Sequence, residues 1–361
     1  MSTTEIPVTE TPAGPTAAEQ MPKLLAHLAG YVGHRTIAIG LRRGLIAALA
    51  EAAGPLSADE LAGRLGLDPF YVAVWCRAAH AAGVCDRAGD DAAAEAGLAG
   101  RYLPAPHVAA LLLDSAHPGY VGGVFTVLDQ PEVFDGFDAS LRNGERLWWD
   151  RCGPDWIDGV AGTGVPFYTR LIPDGLSRVP GLAARLEAGC RIVDTACGSG
   201  AGLERLARVY PRCEIVGVDG DRHSLTQAGR RLTGAGLSGR CRLVRTPLED
   251  LTLEEPATCV INNISMHECR DIDRVTANVL AALEPGGWFV ISDFPFPTTV
   301  DGLRGLPGRV MTGIQYFEAQ IDDQLLPRAT YDDLLTRHGF TGLGHADLTP
   351  MHALTHARRP A

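Results

Sequence analysis

One stretch, Arg191 to Asp221 (RIVDTACGSGAGLERLARVYPRCEIVGVDGD), limits what this chain can fold into more than any other. Ile192 and Val193 form a short apolar run that stops at Asp194, and a turn of small residues follows through Ala196, Gly198, Ser199 and Gly200. Leu203, Leu206, Ala207 and Tyr210 then recur at i, i+3, i+4 and i+7, the stripe of a helix lying on a sheet, and Pro211 ends it. A second strand spans Glu214 to Val218 and again closes on an acid, Asp219. This succession predicts two parallel strands joined by a crossover helix, with a ligand crevice at their carboxyl ends, where the glycines and both acids fall. Small turn residues let the backbone approach a ligand, and an acid after the second strand can accept hydrogen bonds from ribose hydroxyls. The expected guest carries a nucleoside.

Two common nucleotide sites are excluded. A dinucleotide fingerprint GxGxxG counted from Gly198 needs glycine where Leu203 stands, and a P-loop ends in Gly-Lys-Ser/Thr whereas the chain's one lysine is Lys23. The segment Asp194-Thr195-Ala196-Cys197-Gly198-Ser199-Gly200 instead resembles motif I, (D/E)xGxGxG, of class I S-adenosylmethionine-dependent methyltransferases, with Ala196 in place of the first glycine. The resemblance continues downstream. A third strand at Cys241 to Arg245 runs into Thr246-Pro247-Leu248-Glu249-Asp250-Leu251, and a fourth spans Cys259 to Asn262. A helix marked by Val275, Val279, Leu280 and Leu283 then turns at Pro285-Gly286-Gly287 into a strand from Trp288 to Ser292.

What the resemblance implies is an α/β fold, a Rossmann-like seven-stranded methyltransferase sheet, with S-adenosyl-L-methionine as cofactor. Strands near Thr341 to Ala346 and Met351 to Thr355 would complete it, one of the seven being antiparallel. By the same resemblance Asp194, Ala196, Gly198, Gly200, Asp219 and Gly220 hold the cofactor, with Asn262 near its methionine part. Tyr168, in the Phe167-Tyr168-Thr169-Arg170 segment ahead of motif I, is expected there too. Many relatives carry an acid where Pro247 stands, so adenine recognition falls to the backbone around Leu248 or to Glu249.

The N-terminal third reads differently. Ile37, Leu41, Leu45 and Leu49 recur every four residues, Ser57-Ala58-Asp59-Glu60 is a capping box, and Asp68-Pro69 supplies an N-cap and a first-turn proline. Val84-Cys85 then begins a wing, so the spacing is that of helix-turn-helix. A groove-reading helix should carry cations, yet PFYVAVWCRAAHAAG has Arg77 as its only permanent one. Between Met21 and Ala110 stand eight Arg or Lys against eight Asp or Glu. With a formal net charge of -11 on the whole chain, nucleic acid is disfavoured as a partner. A winged-helix module ahead of a class I methyltransferase domain is the layout of small-molecule O-methyltransferases of the bacterial natural-product type, where it serves dimerisation; a homodimer is implied by that resemblance.

The expected organisation is a flexible tail over 1–20, a winged-helix dimerisation domain over 21–110, a helical connector and pocket wall over 111–185, and the catalytic domain over 186–361. The connector is dense in aromatics (Phe125, Phe134, Phe137, Trp148, Trp149, Trp156, Phe167, Tyr168), which serve equally as core or as a wall over an apolar guest. Nine cysteines without a CxxC pair suit free thiols in a reducing compartment. Residues 1–20 lack an apolar signal core and no apolar run is long enough to span a bilayer, so a cytoplasmic location without membrane attachment is expected.

Methyl transfer from a sulfonium asks the protein mainly to align and desolvate the reactants. A phenol, with a pKa of about 10 in water, gains from a base that takes its proton, and histidine suits that task near neutral pH. Met266-His267-Glu268, just after the fourth strand, resembles the Leu-His-Asp of O-methyltransferases, whose histidine is the general base; Asp271 resembles the acid four residues on. A helix-capping or local role for His267 stays open, and the imidazole could equally orient a substrate or contact the cofactor without taking a proton. His267-Glu268 begins a HExxH pattern that fails at Asp271, and His345, His352 and His356 lack a nearby carboxylate pair, so no metal site is read. The expected function is O-methylation of a small, apolar or aromatic metabolite with His267 as base. Carbon or nitrogen methylation stays open, with Glu132, Glu145 and Asp150 as candidate acids, as do a non-methylating reaction and a cofactor-sensing regulator.

Overall fold

The structure, a computed structural model, describes residues 14–88, 100–146 and 152–361. Trp148, Trp149 and Asp150, and the side chain of Trp156, lie outside the described residues. The chain divides into two compact units, Met1–Ala105 and Pro106–Ala361.

In the first unit, α1 (Ala17–Arg42) opens on a capping box: the Thr16 side chain accepts from Glu19 N, and the Glu19 carboxylate accepts from Thr16 N at 2.8 Å. The helix thus begins inside the stretch 1–20 expected as tail, because Thr16-Ala17-Ala18-Glu19 is a start signal that a search for apolar periodicity passes over. Then come α2 (Leu45–Ala50), β1 (Leu56–Ser57), α3 (Ala58–Leu65), α4 (Pro69–Ala81), β2 (Cys85–Arg87) and β3 (Arg101–Pro104). Ser57 and Glu60 cap α3 reciprocally, and Asp68 caps α4 with Pro69 in its first turn. The three strands form a sheet in the order β1-β3-β2. Trp75 on α4 donates its Nε1 proton to Thr36 O on α1 at 2.9 Å, and the ring lies over Gly40, where an added Cβ would come within 2.6 Å of it. Farther along α1, Met21, Leu24, Leu25, Leu28, Tyr31 and Val32 form an exposed apolar stripe.

The second unit opens with α5 (Val108–Leu113), α6 (Gly122–Leu128), α7 (Pro131–Asn143) and α8 (Pro154–Arg170), after which the chain kinks at Ile172, whose φ of -115 and ψ of 115 are not helical. Next are α9 (Leu182–Ala188), β4 (Arg191–Thr195), α10 (Ala201–Val209), β5 (Glu214–Asp219), α11 (Arg222–Gly234), β6 (Cys241–Arg245) and β7 (Ala257–Asn263). The chain ends with α12 (Ile272–Ala282), β8 (Leu283–Asp293), α13 (Val300–Arg304), α14 (Leu306–Glu318), α15 (Arg328–Arg337), β9 (Thr341–Thr349) and β10 (His352–Arg358).

The seven-stranded sheet runs β6-β5-β4-β7-β8-β10-β9, and β10 is antiparallel to both its neighbours while the others are parallel. This is the expected Rossmann-like sheet of seven strands with one antiparallel. Its central strands are apolar on both faces, as a sheet covered on two sides requires. Ile192, Ile215, Ile261 and Val290 pack on one side with Leu203, Leu206 and Leu182; Val193, Val216, Val260, Phe289 and Ile291 pack on the other with Val275, Val279 and Leu334. One local expectation gives way: Pro285-Gly286-Gly287 does not sit outside the strand but within β8, whose pairing with β7 shifts register between Ala257 and Cys259. Gly287 permits this, since a Cβ there would lie 2.9 Å from Glu284 O and 3.0 Å from Thr258 O. The chain reverses its winding between β4 and β7, and such a switch point opens a crevice at the carboxyl ends.

Candidate active site

The β4 end of the crevice is built by main chain. Ala196, Gly198 and Gly200 all adopt left-handed conformations (φ 58, 51 and 80), which coils the turn so that Gly198 N donates to Asp219 Oδ2 at 2.8 Å. Asp219 Oδ1 accepts from Asp221 N at 2.8 Å. Gly200 packs its Cα on α11, where a Cβ would meet the Ala228 Cβ at 2.9 Å. Gly220 lies over Pro247, with 3.6 Å from its would-be Cβ to the proline Cα.

Asp194 is fully buried at the end of β4. Its Oδ1 accepts the Tyr168 hydroxyl at 3.0 Å, while its Oδ2 has no hydrogen-bond partner. Burial pushes this carboxyl up to about 8, opposed by the Tyr168 hydroxyl and reinforced by Asp219, which burial also raises. The Tyr168 ring occupies the space left by Gly202, whose Cβ would be 2.2 Å from it. Asn262 is buried one strand over, its Nδ2 donating to Thr195 Oγ1 at 3.2 Å and its Oδ1 accepting from Ser265 Oγ at 3.3 Å; Thr195 Oγ1 in turn donates to Ile261 O at 2.8 Å. Its amide therefore ties β4 to β7 at the crevice floor. Leu248 is buried and Glu249 partly exposed, and Asn278 Nδ2 donates to both their carbonyls, at 3.1 and 2.8 Å, which holds this loop rigid.

Past β7 the construction changes to side chains. His267 is buried, and its Nδ1 lies 2.8 Å from Asp293 Oδ2, the acid that closes β8. A carboxylate can only accept, so Nδ1 carries the proton and Nε2 is the basic atom of the neutral ring. Nε2 makes no hydrogen bond and lies 3.6 Å from Glu318 Oε2, itself unpartnered, at the end of α14. Asp293 Oδ2 also accepts the Tyr331 hydroxyl at 2.6 Å, and Oδ1 accepts Phe294 N at 2.7 Å. Burial alone would depress the imidazole; the Asp293 and Glu318 carboxylates overcome it and push His267 well above the ordinary histidine value. Glu268 is raised by burial and by Glu318, and Asp323 is pushed up to about 7 by the same two causes, with Arg270 and His267 opposing. Among the described residues, His267, Glu268 and Glu318 are the set whose donor atoms, within 4.8 Å of one another, have a spacing that would admit a cation.

A model described as "Methyltransferase domain" matches residues 192–287. A ubiquinone/menaquinone biosynthesis C-methyltransferase from Syntrophotalea carbinolica is 31% identical over 198 residues, covering 50% of this chain and 82% of the relative. The chain belongs to the S-adenosylmethionine-dependent methyltransferases. A trans-aconitate 2-methyltransferase from Variovorax paradoxus is 30% identical over 34% of this methyltransferase and 44% of its own length. Among solved structures, the mitomycin 7-O-methyltransferase MmcR superposes with a TM-score of 0.69 at 18% identity, covering 95% of this chain and 98% of that one. Human N-acetylserotonin methyltransferase, solved with S-adenosylmethionine, gives 0.71 at 14% identity over 96% and 100%. At such identities these two structures show the shared fold.

The methyltransferase presents donors and acceptors that fit its cofactor. Asp194 Oδ2 is a buried acceptor without a partner, suited to the cofactor's ammonium group. Asp219, with both oxygens engaged once, keeps lone pairs for two hydroxyls. The structure separates two roles that the sequence left open. Asp271 caps α12, accepting from Arg274 N at 2.9 Å, whereas His267 bonds an acid 26 residues away and caps nothing. His352 has both ring nitrogens engaged, by Arg170 Nε at 2.9 Å and Ser292 Oγ at 2.8 Å. Glu132 is exposed, and Glu145 is bonded to Asn143 on the surface. Sequence reasoning missed Asp293 and Glu318. Asp293 had the signal that marked Asp194 and Asp219, an acid ending an apolar strand; Glu318 had none.

Proposed function

We propose that this methyltransferase transfers its methyl group to an oxygen of a small, apolar or aromatic acceptor, with His267 as general base. The observation that carries the reading is the imidazole fixed through Nδ1 by Asp293 with Nε2 left as its free basic atom. Asp194 receives the charged end of the cofactor's methionine part beside Tyr168 and above Asn262. The Ala196–Gly200 turn and Gly220 let the backbone approach, Asp219 takes the ribose hydroxyls, and the Leu248–Glu249 loop faces adenine. Bound there, S-adenosylmethionine supplies a sulfonium-activated methyl group, so the chain's own work is alignment, exclusion of water and removal of one proton. Phe167, Phe294, Met311 and Leu325 pack together with Ile264 and Phe296 next to Asp293, an apolar wall that favours an apolar acceptor.

An acceptor hydroxyl must reach Nε2. An acceptor oxygen about 2.8 Å from Nε2 would sit beside Glu318 Oε2, which lies 3.6 Å from the same nitrogen. His267 Nε2 takes the acceptor's proton, and Asp293 and Glu318 balance the resulting imidazolium. We further infer a homodimer in which the exposed α1 stripe, Leu24, Leu25, Leu28 and Tyr31 among it, is covered by the partner's, since a contiguous apolar row on a long helix is costly in water. Among the described residues no helix is long and apolar enough to cross a membrane.

The test is incubation with methyl-deuterated S-adenosylmethionine and a panel of phenols, followed by product mass and NMR assignment of the methylated atom. Labelled methoxy products support the reading. Labelled methyl on carbon would favour the C-methylation named for the Syntrophotalea relative. A chain that shows neither heat nor a melting shift with the cofactor would sink the whole assignment.

A further inference from the structure

Asp293 Oδ2 serves two donors at once: His267 Nδ1 at 2.8 Å and the Tyr331 hydroxyl at 2.6 Å. Tyr331 stands on α15, 38 residues from Asp293 in sequence, and is 3% exposed. For filling space among Val275, Leu334 and Phe340 a phenylalanine would serve; the hydroxyl is the part that packing does not explain. A buried phenol needs a partner, but it has taken the one oxygen that orients the imidazole rather than the other, which Phe294 N occupies at 2.7 Å. We infer that Tyr331 is a positioning residue, which apportions the Asp293 carboxylate between itself and the His267 ring and so sets how readily that ring gives up and takes a proton. This rests on the base reading of His267.

The physical argument is competition for one oxygen. Each donor draws electron density from the carboxylate, so a second donor weakens the hold on the first. Tyr331 is a constant donor, because burial and the Asp293 charge both keep its phenol protonated far above the ordinary range. The other groups facing the ring are acids: Glu268 from its own loop, Glu318 from α14, and Asp323 just beyond α14, with Arg270 acting on Asp323. From α15 the ring's network receives the phenol alone; neighbouring Asp332 points to His345, 3.4 Å from its Nε2. Among the described residues Tyr331 is thus the neutral side-chain donor that shares Asp293 Oδ2 with the ring, and its bond moderates the pull on the imidazolium. Without it, Asp293 holds the charged ring more tightly and the basic form appears only at higher pH.

The experiment is an NMR titration of the full chain, isotope-labelled in histidine and saturated with S-adenosylhomocysteine, the His267 signal assigned by its loss in His267→Gln. Tyr331→Phe should raise the titration midpoint of His267 by about half a pH unit or more, a roughly threefold change in proton affinity. Site-specific 3-fluorotyrosine at position 331, a stronger donor of the same shape, should lower it. A midpoint unmoved by either change, or moved the same way by both, overturns the inference. If Tyr331→Phe fails to fold, the fluorotyrosine result decides alone: a lowered midpoint supports the inference and an unmoved one overturns it. The base reading fails separately: full turnover in His267→Ala would remove it whatever Tyr331 does to the titration.

Discussion

The two halves of the site stand at the carboxyl edge of one sheet and are made in opposite ways. The crevice between β4 and β5 is drawn largely by backbone: three alternate left-handed turn positions and a main-chain donor on Asp219, over a floor that the Asn262 side chain ties. The knot beyond β7 and β8 is drawn by side chains that arrive from four segments, bearing His267, Asp293, Glu318 and Tyr331. The first leaves a buried oxygen unsatisfied, Asp194 Oδ2, and the second a buried nitrogen, His267 Nε2. A site made by backbone recognises shape and one fixed ligand, and changes little when a side chain outside it changes. A site made by side chains tunes a proton, and each contributor can be altered by itself. Binding and chemistry should therefore come apart under mutation.

The largest separation is expected at His267. His267→Ala should lower turnover about a hundredfold or more while cofactor affinity, measured by calorimetry with S-adenosylhomocysteine, stays within about twofold. Because the wild-type imidazole is raised well above its ordinary value, its basic form grows in only as pH climbs, so the rate should rise through an acidic limb lying above the usual histidine range. A limb at or below that range would break the contrast. Asp194→Asn should do the reverse, weakening cofactor binding about tenfold and leaving the shape of the rate profile intact. The sign of its pH dependence follows from a carboxyl raised to about 8 in the free protein. A cation bound beside it favours the charged form, so binding expels a proton and affinity should grow with pH up to about 8, then level off. In the free protein the same raised value means that the folded state holds the proton more tightly than the unfolded one. Asp194 therefore favours folding at low pH, and that contribution is lost as pH rises toward about 8. Both slopes should be absent in Asp194→Asn.

The same contrast decides which parts of the molecule are legible in the amino-acid sequence. Asp194, the small-residue turn and Asp219 are contiguous because a strand, a turn and a helix suffice to make that half, and period-2 and period-3.6 patterns expose all three. The central strands β4, β5 and β7 were legible as short apolar runs buried on both faces. The seven-stranded sheet with its one antiparallel strand came from the resemblance and not from such runs: the edge strands β6 and β9 are half exposed. His267 was singled out by its place after a strand and by the resemblance of Met266-His267-Glu268 to the Leu-His-Asp of O-methyltransferases. Its partners were not, since nothing local to Glu318 on α14 or to Tyr331 on α15 says that their side chains meet a residue dozens of positions away. The turn into β8 was misplaced because Pro-Gly-Gly usually breaks a strand, and here Gly287 instead lets the backbones of β7 and β8 close up. The start of α1 was missed because a capping box needs only two residues, Thr16 and Glu19, and no apolar stripe.

Smaller effects sharpen the account of the backbone-made half. Gly200→Ala places a methyl 2.9 Å from the Ala228 Cβ at φ 80, so α10 and α11 must separate. Strain and overpacking together should cost about 2–4 kcal/mol of stability, read by urea denaturation, and weaken the cofactor with it. Ala196→Gly should act the other way and least of all. Ala196 departs from the family's glycine, and the fold holds it at φ 58 regardless, where an L-residue loses about 1 kcal/mol or somewhat more. Glycine removes that strain but gives back part of the gain, through greater freedom in the unfolded chain and loss of a methyl that packs against the cluster of Val193, Val216 and their neighbours. A net gain of about 0.5 kcal/mol is expected, seen as a small rise in melting temperature with unchanged turnover. A clear fall instead would mean that the Ala196 methyl supports the turn more than its conformation strains it, and that the turn itself depends on a side chain after all.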